Sequence, residues 1–91
     1  MSTVAVLRNP TAGRGRHRDG VTAALRALAE AGHVVKTIDA TTRDEAAAAT
    51  RRAVQDGIDA LVVIGGDGTV HIGLQAVAGT DVGLGVVPTG T

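Results

Sequence analysis

Ninety-one residues with 44% hydrophobic content and a formal net charge of zero make one domain at most, burying about 60–65% of its unfolded surface. Zero net charge gives no bulk electrostatic drive towards nucleic acid, and the absence of cysteine excludes a disulfide framework and a thiolate metal site. No apolar run approaches the ~20 residues of a bilayer span, and the N-terminus lacks the basic and apolar regions of a signal peptide, so the expected setting is cytoplasmic.

With no Phe, Tyr or Trp, the core must be built from Val, Leu, Ile and Ala. That composition suits thin layers of buried parallel strands and Ala-rich helices. TVAVL (Thr3–Leu7) is a β-branched run that reads as a buried strand. RNPTAGRGR follows, a loop by its Pro and Gly content. Arg8, Arg14, Arg16 and Arg18, with His17, all precede the first acidic residue, Asp19. Two readings of this cluster are open: a solvated basic loop, or a contact for phosphate or an anionic membrane surface.

From Val21 the apolar residues Val21, Ala24, Leu25, Leu28 and Ala29 follow the spacing of a core-facing helix. Asp19 is the expected N-cap and Gly32 fits the C′ position. His33–Asp39 reads as the second strand. ATTRDEAAAATRRAVQDG is the second helix, with Thr42 and Glu45 at capping-box spacing. Its inner face is expected at Ala46, Ala49, Ala53 and Val54, and Gly57 stops it. Asp59–Ile64 is the third strand, apolar enough to predict cover on both faces. Val70, Leu74, Val77 and Ala78 return to helical spacing, Val82–Val87 is the fourth strand, and PTGT follows. No internal repeat or linker is visible.

Strands alternating with helices predict an α/β fold: a three-layer, Rossmann-like domain with a parallel four-stranded sheet in the order β-α-β-α-β-α-β. Right-handed crossovers restrict the topology to a few choices. Ligands of such sheets bind beyond the carboxyl ends of the strands. The loops there are RNPTAG, DATT, GGDGT and PTGT, so the polar and glycine-rich chemistry gathers on one rim.

Gly65-Gly66-Asp67-Gly68-Thr69 contains an Asp-Gly pair, which is also a hairpin signal. A hairpin needs an alternating strand after it, whereas VHIGLQAV has helical spacing, so the segment is a strand-to-helix turn. The N–H groups of Gly68, Thr69 and Val70 are expected to point from the helix start towards an anion. Asp67 has two readings: a helix N-cap, or a carboxylate that meets phosphate through magnesium or its waters or hydrogen-bonds a nucleotide. No G-x-x-x-x-G-K-[ST] is present. The dinucleotide pattern G-x-G-x-x-G fails from Gly13, where the last position is Arg18, and from Gly66, where it is His71.

NPTAGRG (Asn9–Gly15) also follows a strand directly. Asn9 donates and accepts hydrogen bonds, Pro10 fixes the chain direction, Thr11 offers a hydroxyl and Gly13 allows close approach. In isolation this is any surface turn; beside the glycine-aspartate loop it becomes one wall of a nucleotide cleft. Thr42 as the helix cap leaves Thr41 free to face a ligand. His17, His33 and His71 have no metal spacing, and no Ser-His-Asp or Cys-His arrangement is arguable.

NPTAGRG followed by VVIGGDGTV resembles the catalytic domain of diacylglycerol kinases, a domain shared by bacterial lipid kinases, sphingosine kinases and ceramide kinases. VVPTGT looks like the start of that family's P-x-G-T-x-N-D segment. The G-G-D-G-T loop is also found in NAD kinases and 6-phosphofructokinases, and the N-P-x-x-G loop favours the lipid kinases. The resemblance implies ATP bound across the rim by Asn9, Pro10, Thr11, Ala12 and Gly13, by Thr41, by Gly65, Gly66, Asp67, Gly68, Thr69, Val70 and His71, and by Thr91. It implies magnesium as cofactor, met by Asp67 through water, and transfer of the ATP γ-phosphate to the hydroxyl of a lipid such as diacylglycerol. Arg14, Arg16 and Arg18 become candidates for peripheral contact with the inner membrane surface; no nucleic acid is implied.

Two departures qualify the resemblance. His71-Ile72-Gly73 lacks the acidic residue that family members usually carry after the loop. The chain also stops at Thr91, before the N-D pair and the β-rich domain that brings the lipid pocket and the catalytic base. These 91 residues are therefore expected to be the N-terminal nucleotide-binding part of a lipid kinase. No residue here is expected to act as general base, and the segment alone is not expected to phosphorylate lipid. The alternatives are an NAD kinase-like enzyme and a non-catalytic nucleotide-binding module.

Overall fold

The computed structural model describes residues 2–8 and 18–88, with residues 18–22 described by backbone alone. In chain order the elements are β1 (Thr3–Arg8), α1 (Arg18–Glu30), β2 (Val34–Ile38), α2 (Arg43–Gln55), β3 (Ala60–Gly65), α3 (Asp67–Val77) and β4 (Gly83–Pro88). The four strands form one parallel sheet in the order β2-β1-β3-β4. This is the three-layer α/β architecture that the sequence predicts.

The layers follow from strand alternation. Ala5 and Leu7 of β1, with Leu61 and Val63 of β3, turn to one face and pack with Ile38, Ala46 and Ile58 under α2 and α3. Val4, Val6 and Ile64 turn to the other face and meet Leu25 and Leu28 of α1. The two-to-one division of helices comes from right-handed crossovers. The β1-to-β2 connection steps one way across the sheet, and the later connections step the other way. The direction therefore reverses between β1 and β3.

Without aromatic rings the layers sit close. A Cβ on Gly73 of α3 would lie 2.5 Å from Val63 Cγ2, so glycine here sets the distance between helix and sheet. The helix ends are conventional. Gly32 has φ +92°, His33 N–H donates to Leu28 C=O at 3.2 Å and Gly32 N–H donates to Ala29 C=O at 3.0 Å, the pattern of a glycine C-terminal cap. Gly57, with φ +96°, follows α2 in the same role.

Some sequence expectations need correction. Helix α1 starts at Arg18, so Asp19 lies inside its first turn and is not the N-cap; an acidic residue suits either place because both are near the positive end of the helix. Leu74 is 49% exposed. The buried residues of α3 are Thr69 and Gly73, where close approach at Gly73 turns that face inwards, while Val70 and Val77 pack against the core as the spacing predicts. Ala29 is exposed, and Val62 only half-buried, so cover over β3 is less complete than its apolar run predicts. On α2 the expected inner face holds, with Ala46 buried and Ala49, Ala53 and Val54 packed against the core, and Thr50 joins it, returning its hydroxyl to Ala46 C=O at 2.7 Å, which satisfies the polar group locally. No helix among the described residues is long and apolar enough to cross a membrane.

Candidate functional site: the rim at the carboxyl ends of the strands

Parallel register brings the strand ends level. Leu7 pairs with Ile38, Arg8 with Ile64, and Gly65 with Pro88. The carboxyl ends of β1 and β3 thus stand side by side, at the point where strand order reverses. That is where open α/β sheets form a ligand crevice. Asn9, Pro10, Thr11, Ala12, Gly13 and Thr91 lie outside the described residues, as do Arg14 and Arg16, and Arg18 is described by backbone alone. The described ends of β1 and β4 lead directly into these segments.

The glycines of the β3–α3 turn divide by what surrounds them, and none of them has a positive φ. A Cβ on Gly65 would meet Thr69 Cβ and Oγ1 at 2.8 Å, so Gly65 makes room for the buried Thr69. A Cβ on Gly68 would stand 3.1 Å from Arg43 Nη1. Gly66 differs from both: nothing lies within 4 Å of its Cβ position, and its φ of −94° is open to any L residue. Nothing in the described fold requires glycine at 66.

Gly66 is also the N-cap of α3, and no side chain caps that helix. The reading of Asp67 as the N-cap is therefore corrected. Asp67 is the first helical residue, exposed and in the first turn, where the helix dipole favours its charge. Val70 N–H donates to Gly66 C=O at 3.0 Å, so it does not face an anion as expected; it is the first N–H with a carbonyl one turn behind. The preceding N–H groups, of Asp67, Gly68 and Thr69, have no intrahelical acceptor. The Val70 side chain packs against the core, and His71 is exposed.

The loop after β2 is tied to α2. Thr42 caps the helix by accepting from Glu45 N–H at 3.1 Å. Thr41 is not free: its hydroxyl donates to Glu45 Oε2 at 2.8 Å and its N–H donates to the same oxygen at 3.0 Å. The Thr41 hydroxyl, then its N–H, holds the Glu45 carboxyl below its ordinary pKa. The sequence shows the Thr42–Glu45 spacing, but the glutamate also recruits the preceding threonine. A ligand that needs the Thr41 proton must displace Glu45.

Arg8 Nη2 donates to Asp39 at the adjacent ends of β1 and β2. This removes Arg8 from the basic cluster and clips the two strand ends together. Among the described residues no group of three or more His, Cys, Asp or Glu is placed to hold a metal ion. A lone carboxylate such as Asp67 fits a magnesium ion that keeps most of its waters and takes its other ligands from phosphate. Arg43, the first residue of α2, reaches the first turn of α3. No short motif marks it, because the contact is between helices.

Comparison with known proteins bears on this rim. The family model described as the diacylglycerol kinase catalytic domain matches residues 3–91. A diacylglycerol kinase of Mycobacterium tuberculosis (strain H37Rv) is 39% identical over 88 residues, covering 97% of this chain and 28% of the relative. One from Bacillus subtilis (strain 168) is 30% identical over 93 residues, covering 100% of this chain and 31% of the relative. A crystal structure of a diacylglycerol kinase from Bacillus anthracis superimposes with a TM-score of 0.78 at 26% identity, over 99% of this chain and 34% of that one. The chain spans roughly a third of the length of these proteins. Through its family match over residues 3–91, the chain belongs to the diacylglycerol kinase catalytic-domain family.

Proposed function

We propose that this chain is the nucleotide-binding part of an ATP-dependent lipid kinase, and that the whole protein transfers the γ-phosphoryl group of ATP to the hydroxyl of diacylglycerol or a related lipid. One observation carries the reading. Gly66 opens an uncapped helix start at the strand-order reversal, yet neither its backbone angles nor its neighbours call for glycine. A phosphate approaching the N–H groups of Asp67, Gly68 and Thr69 does call for it, because any side chain at 66 stands in the opening. The names of the relatives support the choice of a lipid hydroxyl as acceptor.

In this reading the residues bind and orient. The first N–H groups of α3 hold phosphate oxygens in a fixed direction, so little reorganisation is needed as charge shifts during transfer. Asp67 would accept from the water ligands of a magnesium ion bound with the nucleotide, which would neutralise phosphate charge. The lipid oxygen forms a bond to the γ-phosphorus as the bond to the β-phosphate oxygen breaks, and ADP leaves. The hydroxyl proton goes to a base that we assign to the remainder of the whole protein. Arg14, Arg16 and Arg18 contribute attraction to an anionic bilayer on its cytoplasmic side, which salt screens; vesicle binding unchanged by salt or by Arg→Ala substitution contradicts that assignment.

Titration of the whole protein with ATP–magnesium tests the site, with Asp67→Ala alongside. The expected result is measurable ATP binding that weakens in the variant. Equal binding by both proteins would mean that Asp67 serves only the helix dipole. A phosphorylation assay offering diacylglycerol, sphingosine and NAD tests the acceptor, and transfer to NAD alone contradicts the lipid assignment.

A further inference from the structure

Arg43 begins α2 where the loop from β2 ends, and its side chain crosses to the neighbouring helix. The guanidinium lies over Gly68, with Nη1 3.1 Å, Nη2 3.4 Å and Cζ 3.5 Å from the point where a Cβ on that residue would stand. Gly68 has no left-handed φ, so the backbone does not require glycine there. Glycine at 68 leaves the space that the arginine fills.

Arg43 sits between two helix starts whose first turns also carry the carboxylates of Asp44, Glu45 and Asp67. None of these carboxylates forms an ion pair with Arg43: the ion pair among the described residues joins Arg8 to Asp39, which leaves the guanidinium's donors for another anion. A phosphate on this spot would be met by the guanidinium and by the positive ends of both helices. Guanidinium suits phosphate oxygens because its planar fork donates two parallel hydrogen bonds.

We propose that Arg43 is a phosphate-binding residue of the nucleotide site, holding the terminal phosphates of ATP against the first turn of α3, with Gly68 as the space that lets it reach them. The inference rests on the proposed function, since it deepens the same site. It makes the residue at 68 matter through Arg43 as well as through its own N–H group.

The test uses the whole protein and measures binding of ATP and of adenosine by calorimetry, for wild type, Arg43→Ala, Gly68→Ala and the double variant. Arg43 is exposed, so its truncation leaves the fold intact. Loss of a charge-assisted hydrogen bond to phosphate is expected to weaken ATP binding about tenfold or more, while adenosine binding stays the same. Gly68→Ala meets only the far end of a flexible side chain, so the protein folds but the guanidinium is displaced. ATP binding falls in that variant, and it falls by less when Arg43 has already been removed. If wild type binds ATP and Arg43→Ala binds it equally well, the role of Arg43 is overturned and the proposed function stands. Equal weakening of ATP and adenosine, or an undiminished effect of Gly68→Ala in the Arg43→Ala background, also overturns it. If wild type binds no ATP, the proposed function itself fails, and the inference with it.

Discussion

Replacing Gly66 by alanine separates binding from folding. A Cβ at 66 has no neighbour within 4 Å, and φ −94°, ψ −165° suits alanine. Folding stability should therefore change by less than about 1 kcal/mol, since the poorer N-cap propensity of alanine is offset by about 0.4–1 kcal/mol as the unfolded chain loses freedom. The nucleotide meets the new methyl group instead. Each phosphate hydrogen bond lost is worth about 1.5–3 kcal/mol, so ATP affinity should fall tenfold or more. Two neighbouring glycines are the controls. Gly73→Ala places a Cβ 2.5 Å from Val63 Cγ2, whose residue is 0% exposed. Overpacking of this kind costs about 1–3 kcal/mol, partly offset by about 1 kcal/mol of helix propensity. Gly65→Ala meets the buried Thr69 at 2.8 Å and should also cost about 1–3 kcal/mol. Urea denaturation and ATP calorimetry on the three whole-protein variants read both quantities. The reasoning is refuted if Gly66→Ala binds ATP like wild type, or if it destabilises the protein as much as Gly73→Ala.

Other expectations concern the frame around the site. Thr42→Ala removes the α2 cap bond to Glu45 N–H and should cost about 1 kcal/mol of stability in a denaturant titration. Because Thr41 lowers the Glu45 pKa in the folded protein, the carboxylate contributes stability above its unfolded pKa, and this is lost as pH falls through the folded value. The stability gap between wild type and Glu45→Gln should therefore close towards acid; a gap independent of pH contradicts the bonding described. Asp39→Asn breaks an ion pair whose side chains are 40% and 65% exposed, so its cost should stay below about 1 kcal/mol. Leu61→Ala empties a fully buried position and should cost about 2–5 kcal/mol.

The fold was legible because its signals are local. The β-branched runs, the helical spacing from Leu25 to Leu28, the left-handed glycines at 32 and 57 and the Thr42–Glu45 cap each depend on neighbours in sequence. The rim followed from the order of elements, since parallel strands send their loops to one edge. What escaped depends on contacts between elements. Leu74 and Gly73 offer competing inner faces for α3, and the approach to Val63 decides between them. Asp67 reads as a cap until the helix is seen to start on it. Thr41 looked free because its bond to Glu45 competes with the ligand role and leaves no separate mark in the spacing. Arg43 touches Gly68 across two helices, and a spacing rule does not reach that far.

The most direct measurement is transfer of labelled γ-phosphate by the whole protein with magnesium, diacylglycerol vesicles and, in parallel, sphingosine and NAD. The account predicts a labelled lipid product from diacylglycerol or a related lipid, and its loss in Gly66→Ala while that variant retains wild-type resistance to urea. Label on NAD alone, or an undiminished rate in folded Gly66→Ala, contradicts it.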